Sequence, residues 1–353
     1  MNAVGVRVAA NEAMQALSHA IDRIDLALPA AARGLFLGAR PGLLRMQSPG
    51  DWTCEQSFKP LVDGLEREGL DVGSASDDER YARVFVLPPR QRDESRAMFA
   101  RAFAHRADDG IVVASVANDA GARSSEQDMR RLCADVQVLS KHKCRVFWSA
   151  PRAHVDAALA AEWTKFDAVR AIDSDYVSRP GLFAWDRIDP ASRLLVTHLP
   201  TTLRGHAADL GAGFGYLACA ALRHCPGIES VDLYEADARA LEPARTNIER
   251  ALREHATPVA ADVLWHDVTR GLPKRYEVII SNPPFHIGRA DQPELGRGFI
   301  TAAARALEPA GSLWLVANRH LPYEAALAEL FKEVRTVVMQ GGFKVIHAQG
   351  VRR

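Results

Sequence analysis

The sequence predicts an α/β protein in which one fold is written twice in tandem. Three observations carry this expectation. From residue 207 onward, strand-like and helix-like segments alternate, the pattern of a mostly parallel sheet covered on both faces. A glycine-rich turn, Asp209-Leu-Gly-Ala-Gly-Phe-Gly215, separates the first of these strands from the first helix. The first half of the chain repeats the same order of segments in weaker form.

In the second half, Ala207 to Leu210 reads as a strand leading into the glycine turn, and Leu217 to His224 has the apolar pattern of a helix. Strands follow at Ser230 to Tyr234, Thr257 to Ala261, Tyr276 to Ser281 and Gly311 to Ala317, with helical spacing at Arg239 to His255, Leu295 to Leu307 and Tyr323 to Phe331. Two strands close the chain, Glu333 to Gln340 and Phe343 to Gln349. Apolar runs such as Val278-Ile-Ile280 suit strands buried on both sides. In the first half, Val84-Phe-Val-Leu-Pro-Pro-Arg90 resembles the segment from Val278 to Phe285. Gly110 to Asn118 resembles Gly311 to Asn318, and Cys144-Arg-Val-Phe147 resembles Phe343-Lys-Val-Ile346. The shared order favours duplication over coincidence. Turn-forming residues from Asp173 to Pro180 break the pattern, which puts the two domains at 1–172 and 173–353.

Length and composition agree. A chain of 353 residues has room for two domains, and 48% hydrophobic with 25% charged residues is ordinary for a globular protein. No apolar run approaches the roughly 20 residues that cross a bilayer, and the N-terminus lacks a secretory pattern. Lys plus Arg equals Asp plus Glu at 44 each, which argues against bulk electrostatic coating of nucleic acid but leaves room for local basic patches. Five cysteines without a CxxC pair make metal sites and disulfide frameworks weak readings and a reducing cytoplasm the default.

The glycine turn has the spacing DxGxGxG, not the GxGxxG of a dinucleotide fold. Gly211, Gly213 and Gly215 allow positive φ and let a ligand approach the backbone. Asp209 could pair with a ligand ammonium, which suits an amino-acid moiety better than a pyrophosphate. Glu235 ends the next strand, where an acid can hold both hydroxyls of a ribose. Asp262 is expected to end the third strand and accept a hydrogen bond from an adenine amino group, with Val263 as an apolar wall. Glu235 or Asp262 alone reads equally well as a solvated strand end; together with Asp209 they describe one ligand site.

A second turn, Ser281-Asn-Pro-Pro-Phe285, follows the fourth strand. Its prolines remove two backbone donors, so nearby carbonyls need partners from elsewhere. Asn282 adds a side-chain carbonyl. Two converging acceptors suit a planar amine, whose nitrogen they orient as it attacks, and Phe285 can stack on a flat base. The bland alternative is a proline-stiffened turn with a core phenylalanine.

At these residues the chain resembles class I methyltransferases that use S-adenosylmethionine. More narrowly, it resembles the bacterial ribosomal RNA guanine-N2 methyltransferases of the small subunit, the RsmC type. The narrower likeness rests on Arg179-Pro-Gly-Leu-Phe183, Asp189, Ser281 to His286, Val316-Ala-Asn318, Leu321-Pro-Tyr323 and Gly342-Phe-Lys-Val345. The resemblance implies two tandem Rossmann-like methyltransferase domains, the N-terminal copy degenerate and the C-terminal copy catalytic. It implies Asn282, Pro283 and Phe285 as catalytic residues. Asp209, Gly211, Gly213, Gly215, Glu235, Asp262 and Val263 would hold S-adenosylmethionine, with Pro284, Phe343 and Lys344 on the substrate side and no metal. The implied partner is ribosomal RNA or the small ribosomal subunit, met by a cytoplasmic monomer away from any membrane. Where the family usually has Asp-Val-Gly-Ser, this chain has Asp189-Pro-Ala-Ser192.

The first half fits a degenerate copy. Leu87 stands for Asn282, Arg90 for Phe285, Phe36 for Asp209 and Arg40 for Gly213. Such a copy should transfer no methyl group; its remaining roles are gripping RNA or bracing the catalytic half. Arg130, Arg131, Lys141, His142, Lys143 and Arg145 are candidate phosphate contacts, each more simply a solvated charge. Two rival readings stay open: transfer to another planar amine (adenine N6 or a protein glutamine), and a non-catalytic RNA-binding assembly factor on a relic fold.

Overall fold

A computed structural model describes residues 4–21, 33–43, 52–255, 257–284, 286–287, 290–291 and 293–352. The chain divides into two compact units, Met1–Ala168 and Val169–Arg353. Among the described residues no helix is long and apolar enough to cross a membrane.

The N-terminal unit opens with helix α1 (Val4–Ile21), followed by strands β1 (Gly34–Leu37) and β2 (Trp52–Glu55) and helix α2 (Lys59–Arg67). Then come β3 (Asp71–Val72), β4 (Tyr81–Val86), α3 (Arg92–Ala104), β5 (Arg106–Ala117) and α4 (Ala122–Leu132). The hairpin β6 (Val136–Lys141) and β7 (Cys144–Ser149) and helix α5 (Ala157–Thr164) complete it. Its sheet has seven strands in the order β3-β2-β1-β4-β5-β7-β6, with β7 antiparallel to both its neighbours.

The C-terminal unit starts with the short pair β8 (Arg170–Ala171) and β9 (Val177–Ser178), then α6 (Pro190–Val196) and β10 (Arg204–Leu210). Next are α7 (Tyr216–His224), β11 (Gly227–Glu235), α8 (Leu241–Glu254), β12 (Ala260–Trp265) and β13 (Tyr276–Ser281). The two-residue strands β14 (His286–Ile287) and β15 (Ala290–Asp291) precede α9 (Pro293–Ala306) and β16 (Leu307–Asn318). Helix α10 (Tyr323–Leu330) and the hairpin β17 (Phe331–Gln340) and β18 (Phe343–Val351) end the unit. Its main sheet runs β12-β11-β10-β13-β16-β18-β17, again with an antiparallel β18.

Strand for strand, the two sheets have the same order and the same single reversal, so the duplication read in the sequence is a property of the fold. One apolar cluster of the C-terminal unit packs α6, α7 and α8 on one sheet face; a second packs α9 and α10 on the other. Burying each large aliphatic side chain contributes about 1.5–3 kcal/mol, which makes these two layers the main source of stability. Local signals set the element ends. Asp189 caps α6, its carboxylate accepting from Ser192 N at 2.8 Å, and Pro190 fills the first helical position.

Two expectations need correction. The third strand of the C-terminal sheet is Ala260–Trp265, not Thr257 to Ala261. Asp262 therefore sits inside the strand, opposite Asp232, and Glu235 lies opposite Trp265. Asp262 and Val263 thus fall short of the carboxyl end by two to three residues, roughly 7–10 Å at strand rise. Asp262 is bridged by Lys274 at 3.3 Å, and the Val263 carbonyl accepts from Arg245 at 3.4 Å. The reason is that this stretch carries no glycine or proline to mark where pairing stops.

Lys344 is the second. It is only 3% exposed, and its Nζ donates to both carboxylate oxygens of Glu324 on α10, at 2.6 and 2.8 Å. Alternation along β18 turns Lys344 toward α9 and α10, with Ile346, while Phe343 and Val345 face the opposite layer. The ammonium is a structural ion-pair partner. The same device recurs in the N-terminal unit, where Arg145 on β7 pairs with Glu126 on α4.

Removing one partner of a buried ion pair leaves an uncompensated charge. Glu324→Ala is expected to lower stability by about 2–3 kcal/mol, below the full range for buried pairs because Glu324 stays partly exposed. Urea denaturation checks this; an unchanged midpoint would show that Lys344 finds water instead.

Candidate active site

The site lies where β10, β11 and β13 end. Strand β10 delivers Asp209, and the chain then turns through Gly211, Gly213 and Gly215 at φ of 73°, 55° and 87°. Only glycine takes such angles without strain. The turn is pinned to the neighbouring strand: Gly211 N and Ala212 N both donate to the Tyr234 carbonyl, at 2.9 and 3.1 Å. A side chain at Gly211 would meet the Phe299 ring at 3.2 Å, and one at Gly215 would meet Leu233 at 3.1 Å. At Gly213 nothing lies within 4 Å, so this is the open face of the turn.

Glu235 ends β11 beside that open face. Its carboxylate accepts from Gly213 N at 2.7 Å and from Asp237 N at 2.8 Å. Burial raises its pKa, and these backbone donors oppose the rise. Each oxygen keeps lone-pair capacity for a ligand hydroxyl.

Asp209 is fully buried. One oxygen accepts from Ala218 N in the first turn of α7 at 3.1 Å; the other, Oδ1, is buried with no hydrogen-bond partner among the described residues. Desolvation pushes its pKa up to about 7, the Ala218 bond pulls against this, and the nearby Glu235 charge adds to the rise. A buried acid with an orphaned oxygen is a site for a cation.

Beside it, the fourth strand ends in Ser281, whose hydroxyl donates to the Leu210 carbonyl at 2.7 Å and ties the two turns together. Asn282 follows. Its Nδ2 donates to Asp189 Oδ2 at 3.0 Å and to Ser192 Oγ at 2.9 Å. Its Oδ1 is buried and has no partner among the described residues. A carboxylate can only accept, so the amide end facing Asp189 is the NH2 group, and the carbonyl faces the other way. Pro283 is buried and Pro284 exposed, with Pro284 Cδ 3.9 Å from where a Gly211 side chain would stand. Phe285 lies outside the described residues. Phe343 is half-buried on the α6 face of the sheet, the face from which Asp189 and Ser192 reach Asn282.

The sequence-predicted residues Asp209, Gly211, Gly213, Gly215, Glu235 and Asn282 thus come together, and Asp262, Val263 and Lys344 do not. The acid that does stand at the end of β12 is Asp267: His266 N donates to the Glu235 carbonyl at 2.8 Å, and the Asp267 carboxylate accepts from Thr269 N at 3.0 Å. Asp189 and Ser192 were also missed as site residues. Asp-Pro signals a helix start, but nothing local says that it also reaches a residue 93 positions on.

A seven-stranded sheet of this order, with a glycine turn after its first strand and an Asn-Pro-Pro turn after its fourth, defines a class I methyltransferase, whose cofactor is S-adenosylmethionine. The residues fit that cofactor: an orphaned acid oxygen for an ammonium, an acid for paired hydroxyls, and an open glycine between them. Residues 173–347 match the methyltransferase small domain model. Ribosomal RNA small subunit methyltransferase C of Psychromonas ingrahamii is 25% identical over 272 residues, covering 76% of each chain. The same-named protein of Escherichia coli K12 is 32% identical over 232 residues, covering 65% of this chain and 64% of its own. In three dimensions, the T. thermophilus 16S rRNA N2 methyltransferase RsmC, solved with AdoMet and guanosine, aligns with TM-score 0.77. That match has 22% identity and covers 96% of this chain and 91% of the other. The C-terminal unit is a methyltransferase small domain, and the chain is similar to the RsmC-type S-adenosylmethionine-dependent methyltransferases along both units.

The raised pKa of Asp209 has a definite sign. In the free protein this group supplies stability below its unfolded pKa near 3.8 and loses it as pH rises through about 7. Asp209→Asn should therefore melt higher than the wild type at pH 8 and no higher at pH 4. Cofactor binding should respond in the opposite sense. Wild-type affinity should fall by up to about tenfold per pH unit below 7, as the acid must first ionise, and Asp209→Asn should bind weakly with a flat profile. Calorimetry across pH 4–8 checks both; parallel profiles would remove Asp209 from the cation site.

Proposed function

We propose that this enzyme methylates the exocyclic N2 amine of a guanine in 16S ribosomal RNA, using the C-terminal unit as its catalytic domain. The observation that carries the reading is the buried Oδ1 of Asn282, which has no partner among the described residues and is fixed next to the glycine turn. Support for RNA as the substrate comes from the relatives, which are ribosomal RNA small subunit methyltransferases.

S-adenosylmethionine, when bound, supplies an electrophilic methyl group. The residues of the chain do the rest. Asp209 holds a positive amine end, Glu235 holds hydroxyls, and Asp267 at the end of β12 takes the adenine contact that Asp262 is too far down the strand to make. Gly211, Gly213 and Gly215 leave the backbone open to the ligand. Asn282 Oδ1 and the Pro283 carbonyl accept the two N–H bonds of the guanine amine. An exocyclic amine is a weak nucleophile because its lone pair is delocalised into the ring. Holding both hydrogens helps the nitrogen pyramidalise and aims its lone pair. As the nitrogen gives up its electron pair it becomes more acidic, and the two oxygens hold its protons until one leaves to water. Orientation and electrostatic complementarity supply the rate, with no strong base required. Pro284 and Phe343 form the base-stacking side, to which the sequence motif assigns Phe285 as well, and the guanine must leave its stack to reach it.

The N-terminal unit is a degenerate copy that binds RNA or supports the catalytic unit. Strand register gives this reading its detail. Phe36 pairs with Phe85, two residues before Leu87, as Asp209 pairs with Ile280, two residues before Asn282. Gln56, a neutral amide bonded to the Ala39 carbonyl at 2.7 Å, follows β2 where Glu235 ends β11. An acid, an acid and an amide are thus replaced by Phe36, Gln56 and Leu87. We place the enzyme in the cytoplasm as a monomer, since two fused copies make an obligate dimer unnecessary.

Asn282→Ala should lower methyl transfer by about 100- to 1000-fold while leaving cofactor affinity within a few-fold. The assay is transfer to small subunits, free 16S RNA and protein in parallel, with mass spectrometry of the released nucleosides. N2-methylguanosine is the expected product; N6-methyladenosine or methylglutamine would replace the guanine assignment, and full activity of the variant would remove Asn282 from the chemistry.

A further inference from the structure

We propose that Asp189 is the positioning residue of the reaction, fixing which end of the Asn282 amide faces the substrate. The inference rests on the reading of Asn282 given above and deepens it. An asparagine side chain is nearly symmetric in shape, and its two ends differ only in hydrogen-bonding sense. Turned one way, Asn282 offers an acceptor to a substrate N–H; turned the other way, it offers a donor and repels it. Something must select between the two.

Two groups touch the Nδ2 end, Asp189 Oδ2 at 3.0 Å and Ser192 Oγ at 2.9 Å. They differ in what they can tolerate. A hydroxyl is both donor and acceptor, so Ser192 accommodates either orientation. The Asp189 carboxylate has only lone pairs to offer, so a flipped amide would set oxygen against oxygen with a negative charge between. Selection falls to Asp189. Its carboxylate is itself immobilised, because the same Oδ2 accepts from Ser192 N at 2.8 Å as the cap of α6. The contact also polarises the amide: a charge-assisted bond at nitrogen draws electron density onto Oδ1 and makes it a stronger acceptor. The N–H it receives grows more acidic as methyl transfer proceeds, so the gain is largest in the transition state.

This arrangement accounts for an oxygen left without a partner among the described residues. A free-turning amide would relieve its buried carbonyl by rotating; here rotation would break two bonds and create a repulsion. The helix cap and the substrate acceptor are therefore one linkage, running from the α6 backbone through Asp189 to Asn282 Oδ1.

Three variants separate positioning from capping. Asp189→Ala removes both. Asp189→Ser keeps a good cap for α6, but its shorter side chain cannot also reach Asn282. Asp189→Asn keeps an acceptor oxygen for both contacts and loses only the charge. In single-turnover and steady-state assays, Asp189→Ala and Asp189→Ser are expected to lower kcat about 10- to 100-fold, the effect of one charge-assisted hydrogen bond. Cofactor Kd and RNA KM should stay within about threefold, and Asp189→Asn should restore most of kcat. Thermal melting should drop for Asp189→Ala and recover for Asp189→Ser. If Asp189→Ser recovers kcat along with stability, the role is structural and the proposal is overturned. Asn282→Ala run in parallel distinguishes the two levels: an active Asn282→Ala defeats the underlying reading, whereas an inactive Asn282→Ala beside a fully active Asp189→Ser defeats this proposal alone.

Discussion

The proposed chemistry of this site depends on a carbonyl oxygen that is buried and, among the described residues, unsatisfied. Leaving a buried polar atom unpaired costs about 1–3 kcal/mol, and proteins rarely tolerate it away from function. Asn282 Oδ1 is one such atom and Asp209 Oδ1 is another, and both stand at the carboxyl ends of adjacent strands. Each is prevented from relaxing by a bond at the other end of the same group: Ala218 N holds Asp209, and Asp189 with Ser192 holds Asn282. The sheet supplies the rigidity for this. Asp209 and Ile280 are register partners in β10 and β13, so the spacing of the two turns follows from backbone pairing, and the Ser281–Leu210 bond locks their bases.

Duplication lets the cost of function be compared within one chain. Both copies keep what the architecture needs. The strand order is identical, and Ala39 N binds the Glu55 carbonyl as Ala212 N binds the Tyr234 carbonyl, both at 3.1 Å. A cation on the reversed strand pairs with a glutamate on the preceding helix in each, Arg145 with Glu126 and Lys344 with Glu324. At the positions equivalent to the site, the differences lie at strand ends. Phe36 is fully buried and stacks edge-on against Phe85, where the C-terminal copy carries a desolvated carboxylate. Arg40, whose guanidinium pKa is lowered by burial, stands where Gly213 leaves open space. The N-terminal copy has exchanged unsatisfied polar groups for apolar packing.

How much of this could be read beforehand follows from how local each signal is. The glycine turn was legible because positive φ at Gly211, Gly213 and Gly215 leaves its mark in residue type. Asn282 with its two prolines was legible for a similar reason, since proline constrains the backbone wherever it occurs. The end of β12 was not. From Ala260 to Trp265 the chain has no punctuating residue, and its stopping point is set by pairing with β11, which places the strand-end acid at Asp267. Lys344 shows the same limit: its position in a family-like motif was visible, but the direction of its side chain depends on strand alternation and on a glutamate of α10.

The Asp189–Asn282 contact is the furthest from legibility and the most consequential. It joins two residues 93 positions apart, and neither has a local reason to need the other. Asp189 satisfies every rule of a helix cap and would be fully explained by that role. Its second bond exists only because α6 packs its start against the end of β13. Residue type states which groups are available, whereas direction comes from tertiary packing, and for a group as symmetric in outline as a carboxamide, direction decides whether it accepts or repels an amine. The reactive geometry is therefore written in two distant segments, a cap that any helix could use and an asparagine that only this cap turns the right way.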